Sequence, residues 1–344
     1  MSEAKFVLSK KKLREQLNLL KALGVRISYS YKTNREVGDV LQEESNVDFS
    51  IHSKEEAFMI KDKSRIWLFL QAESKEELKN ILNQGIRKFV VDNKIDLENL
   101  LEVIKEKKFK IILSLRMKFF EHRIGTGKYF VYGMDVQTIN KLIEELSGVD
   151  LIEKLGVHIH RKTQNTSEWE IVGELKDSLN EASLKKIDFL NLGGGLPALY
   201  RGYTANTFPY IFEKIKKTKQ FLENYKIKTY LEPGRFLAAP SVNLHTQIIQ
   251  VQNKNLIINT TIYNCALDTL LSSTKMLVQG ELEKGKAYLI KGNSPTRDDI
   301  FRYKVFLKNP KVGDEIVFLG AGAYNYSTDF FGYKKLKTEV VESF

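Results

Sequence analysis

The fold is decided by the segment Asn191-Leu192-Gly193-Gly194-Gly195-Leu196-Pro197 and by the later segment Glu232-Pro233-Gly234-Arg235, each of which follows a short apolar run. Three consecutive glycines let backbone N–H groups approach an anion closely, because no Cβ atom stands in the way. The second segment combines a proline-fixed turn, a further glycine and an arginine, which is suited to bidentate contact with phosphate. A tight turn without a ligand is the alternative for the glycine segment alone. Together the two segments predict an anion-binding site at the ends of two neighbouring strands.

The regions around these segments alternate between short β-branched or aromatic runs and longer segments of helical period. This alternation is typical of βα units around a parallel sheet. The eight predicted strands are Val25–Tyr31, Val47–His52, Arg65–Gln71, Arg87–Asp92, Lys110–Met117, Lys154–His160, Ile187–Leu192 and Lys228–Leu231. The clearest predicted helices are Ser74–Gln84 with Ser74 as N-cap, Leu97–Lys107, Val136–Glu145, Glu168–Leu179 and Pro209–Tyr225. Eight βα units fit a (β/α)8 TIM barrel, in which phosphate is often held after strands seven and eight.

The sequence changes character after Arg235, where strand-like runs follow one another without long amphipathic helices. The predicted strands of this region are Val242–Gln252, Leu256–Tyr263, Lys286–Ile290, Tyr303–Leu307 and Glu315–Leu319. Such a run of strands predicts a separate all-β unit. We therefore predict a TIM barrel over residues 10–235 and a C-terminal β-domain over residues 236–344, which residues 1–9 could join.

The composition limits the class of protein. A chain of 344 residues that is 42% hydrophobic can bury the cores of about two domains. The formal net charge of +11 attracts anions, but the lysines are dispersed and form no coherent stripe for nucleic acid. The single cysteine, Cys265, excludes a disulfide framework and multi-cysteine metal sites. With no membrane-length apolar run and no signal-peptide pattern, the sequence predicts a cytoplasmic protein without membrane or nucleic-acid partners.

Lys32 and two histidines are candidates for chemistry at the same end of the barrel. Lys32 follows the first predicted strand, and a lysine inside a barrel mouth tends to lose its proton and become a nucleophile suited to Schiff-base formation. The alternative is a strand-end lysine that simply reaches solvent. His158 and His160 end the sixth strand, where alternation places both on one side. We predict no metal there, because the spacing shows no third ligand.

A nucleophilic lysine, a phosphate cradle, an imidazole and a carboxylate at one barrel mouth together describe a site for pyridoxal 5'-phosphate. The sequence resembles the fold-type III pyridoxal-phosphate enzymes, in the branch of diaminopimelate, ornithine and arginine decarboxylases. The resemblance covers nearly the whole chain in order, through Tyr29–Asn34, Ser53–Glu56, Gly156–His160, Leu192–Pro197, Glu232–Arg235, Gly292–Asp299, Gly322–Tyr324 and Phe330–Gly332. It implies pyridoxal phosphate as the cofactor. It also implies a homodimer in which the C-terminal domain of one subunit completes the active site of the other.

The resemblance further implies roles for individual residues. Lys32, His160 and Glu232 would be catalytic: Lys32 holds the cofactor, His160 stacks on its ring, and Glu232 keeps the ring nitrogen protonated, which strengthens the electron sink. The phosphate would be bound by Thr163, Gly193, Gly194, Gly195, Gly234, Arg235 and Tyr324. Related racemases place an arginine where this chain has Glu232, so decarboxylation is favoured. Racemisation or other carbanion chemistry and a non-catalytic cofactor-binding protein remain the alternatives.

Two segments depart from the family pattern near the expected substrate. Pro295 and Thr296 stand where the family has a cysteine that protonates the product and an acid that binds a distal amine. The tentative substrate contacts are Arg116, Asn264, Cys265, Asp268, Ser294 and Arg297, with a barrel-wall ion pair as the alternative for Arg116. We therefore predict that the substrate is not a standard free diamino acid, but one that is acidic, amidated or linked to an anionic carrier such as an acyl-carrier protein or a nucleotide. The proton donor is open between Ser294, Tyr326, Cys265 and a water.

Overall fold

The computed structural model describes residues 2–119, 132–203 and 205–344. Its strands are β1 Lys5–Ser9, β2 Arg26–Ser30, β3 Asp48–Ile51, β4 Ile66–Phe69, β5 Lys88–Val91, β6 Ile111–Arg116, β7 Ile152–His158, β8 Phe189–Asn191, β9 Lys228–Leu231, β10 Val242–Gln252, β11 Asn255–Ile258, β12 Leu277–Val278, β13 Ala287–Lys291, β14 Ile300–Phe306, β15 Glu315–Leu319 and β16 Lys337–Val341. Its α-helices are α1 Lys10–Lys21, α2 Arg35–Glu44, α3 Lys54–Met59, α4 Lys75–Asn83, α5 Lys94–Lys107, α6 Val136–Leu146, α7 Ile171–Ser178, α8 Glu181–Leu184, α9 Thr207–Glu223, α10 Arg235–Ser241, α11 Ile262–Cys265 and α12 Leu267–Ser272.

Strands β2 to β9 form a closed parallel barrel in sequence order, which confirms the predicted TIM barrel. Each of the eight predicted runs contains most or all of one barrel strand. The predicted N-cap is confirmed: Ser74 caps α4 and forms a reciprocal capping box with Glu77. Because all eight strands are parallel, their carboxyl ends meet at one face of the barrel, and this face carries the site described below.

Aromatic side chains fill the barrel interior towards the amino ends of the strands. Trp67 packs edge-on against Phe189 and Tyr230, with ring centroids 5.2 and 5.7 Å away. Gly156 leaves room for this cluster, because a Cβ atom there would lie 2.4 Å from the Phe189 ring. The interior is therefore closed at one end by packed rings, and polar groups collect at the other end.

The C-terminal region forms a sheet in the order β12-β15-β10-β11-β13-β14, to which β1 and β16 are added. Strand β1 precedes the barrel, yet it pairs antiparallel with β10 and parallel with β16. The predicted strand Leu256–Tyr263 is wrong in its second half: β11 ends at Ile258, and Thr261 caps helix α11 through the backbone N–H of Tyr263. None of the described helices is both long and apolar enough to span a lipid bilayer.

Candidate active site

A cavity of about 440 Å³ opens at the carboxyl ends of the barrel strands. Most of the residues predicted to bind a cofactor line this cavity, namely Lys32, His160, Thr163, Gly194, Gly195, Glu232, Gly234, Arg235 and Tyr324. They come from the ends of β2, β7, β8 and β9 and from the loop after β15. Residues far apart in sequence therefore meet at one place, as expected for a site at this face of a TIM barrel.

The Lys32 amine faces the cavity and makes no hydrogen bond or ion pair with any residue that the structure describes. Burial lowers the pKa of Lys32, and the carboxylates of Glu232 and Glu56 oppose this with smaller raising effects. A lysine without an acceptor in a partly dehydrated cavity has a larger neutral fraction than an exposed lysine. The neutral amine is the nucleophilic form, so this placement suits covalent attachment of a carbonyl compound.

Three donors orient the Glu232 carboxylate inside the barrel. Its Oε1 accepts hydrogen bonds from Ser50 Oγ at 2.7 Å and Asn191 Nδ2 at 2.9 Å, and its Oε2 lies 2.9 Å from His158 Nε2. Burial alone would raise the pKa of Glu232, but His158 and the hydrogen bond from Ser50 hold it at about 2. The group is thus a fixed carboxylate at neutral pH, and its edge faces the cavity.

His158 and His160 lie on the cavity side of β7 and its end, as alternation predicts. Their rings are nearly parallel, 9° apart, with centroids separated by 6.3 Å. Burial lowers the pKa of His160 to about 3, so its ring is neutral, and its Nδ1 accepts a 3.2 Å hydrogen bond from the Gly194 N–H. This bond fixes the ring plane and leaves a flat neutral face for stacking.

The glycine turns approach the barrel backbone so closely that side chains are excluded. A Cβ atom at Gly193 would lie 2.3 Å from the Ile159 carbonyl oxygen, and one at Gly195 would lie 2.7 Å from that of Lys162. Both residues also have positive φ, at +69° and +94°. At Gly234 a Cβ atom would meet Thr33 Oγ1 at 2.1 Å. These turns therefore admit backbone only. The Gly193 and Gly194 N–H groups already donate to Asn191 Oδ1 and His160 Nδ1, so the anion site that the sequence predicts from the glycines would depend on the Gly195 N–H and stays a prediction.

Replacing Gly195 by alanine is expected to weaken cofactor binding at least tenfold, because the new Cβ atom displaces the turn that carries the cradle. The matched control is Gly148→Ala, since Gly148 has φ +95° but no atom within 4 Å of its Cβ position. The control carries the same backbone strain without the close approach. Equilibrium dialysis with pyridoxal phosphate checks the prediction, and equal affinity in the two variants would contradict it.

Arg235 is held behind the cradle by a buried carboxylate. Its Nη1 and Nη2 donate to Asp268 at 2.5 and 2.9 Å, and Nη1 also donates to the Tyr200 hydroxyl at 2.9 Å. Its Nε lies 3.2 Å from Thr163 Oγ1. The positive charge of Arg235 is therefore already balanced, and the arginine orients Thr163 beside the glycine turn. Asp268 is thus a buried partner of Arg235 and does not line this cavity, and its role as a substrate contact stays a prediction.

The remaining tentative substrate residues of the C-terminal region do not line the cavity within the described part of the chain. Asn264 bonds to Thr260 and to the Lys334 carbonyl, and Cys265 is fully buried with its thiol 3.2 Å from the Thr261 carbonyl oxygen. Burial raises the pKa of Cys265 to about 12. These placements argue against Asn264 and Cys265 as contacts in the cavity of their own chain.

The segment that departs from the family pattern is likewise remote from this cavity. Ser294 is buried and donates a 2.6 Å hydrogen bond to Asp299, which also accepts from the Ile262 N–H. Arg297 is exposed at the surface. Neither residue reaches the cavity of its own chain, so a role for them at an active site requires a second subunit.

Sequence reasoning missed several cavity residues and contacts. His52, which had no predicted role, lies directly after β3 and stacks on Phe69 at 4.7 Å. His158, to which the sequence gave no individual role, bonds to Glu232. His158, His160 and Glu232 bring atoms able to bind a metal ion within 4.8 Å of one another, so the third group that the sequence spacing did not show is Glu232. Asp92 also lines the cavity. The available signal was position, because each of these residues ends or follows a barrel strand.

Residues 9–239 match the family model described as pyridoxal-dependent decarboxylase, pyridoxal binding domain. The chain therefore belongs to the pyridoxal-dependent decarboxylase family, and pyridoxal phosphate is the cofactor of its binding domain. This confirms the predicted family and cofactor.

Relatives and solved structures agree with this membership. A diaminopimelate decarboxylase from Aquifex aeolicus is 25% identical over 277 residues, covering 74% of this chain and 64% of the relative. A carboxynorspermidine/carboxyspermidine decarboxylase from Campylobacter jejuni is 25% identical over 194 residues, covering 51% of this chain and 49% of the relative. The chain thus spans about half to two thirds of these relatives. The crystal structure of lysine decarboxylase from Selenomonas ruminantium shares the fold, with a TM-score of 0.83 at 19% identity, over 100% of this chain and 94% of that one.

Proposed function

We propose that this protein is a pyridoxal-phosphate-dependent decarboxylase that releases the α-carboxylate of an amino acid as CO2. The observation that carries the proposal is the Lys32 amine, which faces one cavity with the Glu232 carboxylate and the glycine cradle and has no partner of its own within the described residues. A lysine in that position has no structural role to perform. The proposed decarboxylase function is also supported by the family membership of residues 9–239.

The residues present fit pyridoxal phosphate. The cradle at Gly193–Gly195 has space only for backbone and would receive the phosphate, with Thr163 at its side. The neutral face of His160 would receive the ring, and Glu232 would pair with the ring nitrogen. Lys32 would receive the aldehyde carbon. Apart from Gly193, each of these residues lines the same cavity, so one bound molecule could contact all of them.

In the proposed mechanism the protein positions charge and protons. Pyridoxal phosphate, when bound, supplies an electron sink for the pair left behind when CO2 departs. Glu232, held ionised by its three donors, would pair with the ring nitrogen of the bound cofactor and favour its protonated form. Lys32 would hold the cofactor through its amine, and the same amine, when free, would accept or return a proton near the α-carbon. The donor that protonates the α-carbon is not assigned to a residue.

The test is a CO2-release screen with purified, cofactor-loaded protein and a panel of amino acids. Release of CO2 with formation of the matching amine supports the proposal. Exchange of the α-hydrogen for deuterium without CO2 release would overturn decarboxylation in favour of racemisation or related chemistry. A bound cofactor with neither reaction for any compound would favour a non-catalytic binding protein.

The proposal extends to the substrate, which we expect not to be a standard free diamino acid. Pro295 and Thr296 replace the cysteine and the acid of the family pattern, and Arg297 beside them is exposed. The Arg297 guanidinium and the net charge of +11 favour a substrate with an acidic or amidated far end, or one linked to an anionic carrier. Efficient turnover of free lysine, ornithine or diaminopimelate would overturn this part of the proposal. The proposal places the enzyme in a reducing cytoplasm, where the buried Cys265 stays a free thiol.

We further propose a homodimer with shared active sites. The loop that begins at Tyr324 in the cavity leads to Phe330 and Phe331, which are 52% and 58% exposed. These rings pack on each other and on Tyr263, with centroids 4.4 to 5.6 Å apart. An exposed aromatic cluster next to a cavity is typical of an interface. A partner there could bring its own Ser294–Arg297 segment towards this cavity.

The substitution Phe330→Asp is expected to convert the dimer to monomers at micromolar concentration, because it places a charge in the aromatic cluster. Val312→Asp is the control, since Val312 is 58% exposed in a turn between β14 and β15. Sedimentation velocity measures the oligomeric state of the two variants and of the parent protein. A dimer that persists in Phe330→Asp, or a monomeric parent protein, would contradict the proposed interface.

A further inference from the structure

An apolar groove lies in the crevice between helices α1 and α9 and the C-terminal sheet. Its volume is about 710 Å³, within the roughly 300–1,000 Å³ of small-molecule sites. Leu19 and Leu199 in its walls remain 47% and 41% exposed. The apolar walls come from α1, the loop after β8, α9 and the sheet, through Leu19, Leu199, Phe208, Phe212, Leu277 and Leu319. Such a recessed apolar surface is typical of a site that binds another molecule.

A smaller pocket with an excess of positive charge lies next to the groove. We call it the basic pocket, and it is lined by Arg201, Lys275, Arg302, Tyr303, Lys304 and Phe306. Arg302 is buried and pairs with Glu281 at 2.7 Å, and Arg201 lies 3.6 Å from the same carboxylate. Lys275 and Lys304 form no ion pair with any residue that the structure describes. Four cations thus share one carboxylate, which leaves three positive charges in excess.

The groove and the basic pocket lie on one side of two paired segments, one in the loop after β8 and one that leads into β12. The backbone N–H of Arg201 donates to the Lys275 carbonyl oxygen at 2.8 Å, so the two segments are neighbours. The middle residue of each segment, Tyr200 or Met276, is buried at 1% exposure. The residues on either side of these line the two sites, Leu199 and Leu277 the groove and Arg201 and Lys275 the basic pocket. The surface therefore changes from apolar to cationic within two positions of each segment.

This surface is separate from the cofactor cavity. The cations that line the cofactor cavity are Lys32, Arg116 and Arg235, and none of the described residues of that cavity lines the groove or the basic pocket. Lys12 also lines the groove, but it already pairs with Glu15 at 3.1 Å. The positive charge that an anion would meet beside the groove is therefore that of the basic pocket.

We propose that the groove and the basic pocket together bind a single-chain amphiphile with a phosphate head group. The alkyl chain would lie in the groove, where burial removes its apolar surface from water. The phosphate would lie in the basic pocket, because Arg201 offers a fork of N–H donors and Lys275 and Lys304 add charge. The ligand is a single molecule from solution, because a crevice walled by helices and a sheet accepts one chain, whereas a bilayer contacts an open face.

The experiment titrates dodecyl phosphate into cofactor-loaded protein and follows binding by calorimetry, below the concentration at which the compound forms micelles. Bound pyridoxal phosphate keeps the alkyl phosphate out of the cofactor cavity. Butyl phosphate retains the head group on a short chain, and dodecyl maltoside retains the chain with a neutral head group. We expect one dodecyl phosphate per protein chain, bound at least tenfold more tightly than either comparison compound.

Two substitutions in the basic pocket test the head-group site. Lys275→Gln/Lys304→Gln should weaken dodecyl phosphate at least fivefold and leave dodecyl maltoside within twofold of the parent protein. Its control is Lys154→Gln/Lys254→Gln, which removes the same charge from exposed lysines that line neither site.

One substitution in the groove tests the chain site. Leu19→Asp should weaken both dodecyl compounds at least fivefold, because it places a carboxylate against the alkyl chain. Leu271→Asp is the control, since Leu271 is 80% exposed and lines neither site.

The inference is overturned if dodecyl phosphate shows no saturable binding, or if Lys275→Gln/Lys304→Gln and Leu19→Asp bind it as the parent does. It is also overturned if only vesicles of phosphatidic acid bind, since the face would then contact a membrane. If the parent binds no dodecyl phosphate and Leu19→Asp lowers its sedimentation coefficient, the groove is covered by a second copy of this chain instead. None of these outcomes depends on turnover, so the decarboxylase proposal is tested separately.

Discussion

Replacing Lys32 by alanine is expected to abolish the visible absorbance band of the bound cofactor and to lower decarboxylation by about 10⁴-fold or more. The amine is the one described lysine nitrogen lining the cavity, and it has no partner to lose, so folding should be unaffected. Its removal takes away the covalent attachment and the group that exchanges protons near the α-carbon. Absorbance spectra of protein loaded with pyridoxal phosphate, together with CO2 release, measure both effects.

The matched control for this substitution is Lys154→Ala. Lys154 also lies on a barrel strand, but it is exposed near the amino end of β7 and does not line the cavity. Its replacement should leave the spectrum and the rate unchanged. If Lys32→Ala kept the parent's band at full intensity, the cofactor would be attached elsewhere and the proposed function would fail.

Replacing Glu232 by glutamine is expected to lower decarboxylation by roughly 10²–10³-fold, while the cofactor stays attached to Lys32. Three donors surround the carboxylate, so the amide nitrogen of glutamine must face at least one donor, and one hydrogen bond is lost. The neutral amide also cannot balance the charge of a protonated ring nitrogen. The electron sink weakens because that proton is lost.

Nitrogen NMR of protein loaded with ¹⁵N-labelled pyridoxal phosphate reports this proton directly. We expect a protonated ring nitrogen in the parent protein and an unprotonated one in Glu232→Gln. Glu181→Gln is the control, because Glu181 forms only an exposed ion pair with Lys185. A protonated ring nitrogen in Glu232→Gln, with a rate near that of the parent, would contradict the role assigned to Glu232.

The barrel could be predicted from the sequence because its signals are local. Each strand is a short apolar run that is followed by a segment of helical periodicity. The glycine turns can be recognised from the sequence alone, without knowledge of the residues that they contact in the fold. For residues 1–9 the sequence predicted only that they could join the C-terminal domain. It did not predict strand β1 itself, because Lys5–Ser9 passes directly into α1 at the Ser9 cap and its partners are β10 and β16. Its assignment depends on pairing with residues more than two hundred positions away, which no local pattern reveals.

The site was predictable in outline for a similar reason. Lys32, His160, Glu232 and the glycines carry their chemistry in local motifs at strand ends. The hydrogen bonds that set the charge and orientation of these residues are not local. His158 and Glu232 are 74 positions apart, and Arg235 contacts Asp268 only because of tertiary packing. Sequence reasoning therefore named half of the residues that line the cavity, and it gave no role to His52 and did not find the pairing of Asp268 with Arg235.

The position of β1 also bears on how the chain reaches this structure. Strand β1 lies between β10 and β16, which follow it by more than two hundred and more than three hundred positions. This part of the sheet therefore cannot be completed until β16 has been made, although the eight barrel strands precede it. Pairing between such distant segments slows folding, because the long intervening loop must close first. During that interval the edge of β1 is an unpaired strand, which exposes the incompletely folded chain to pairing with other chains.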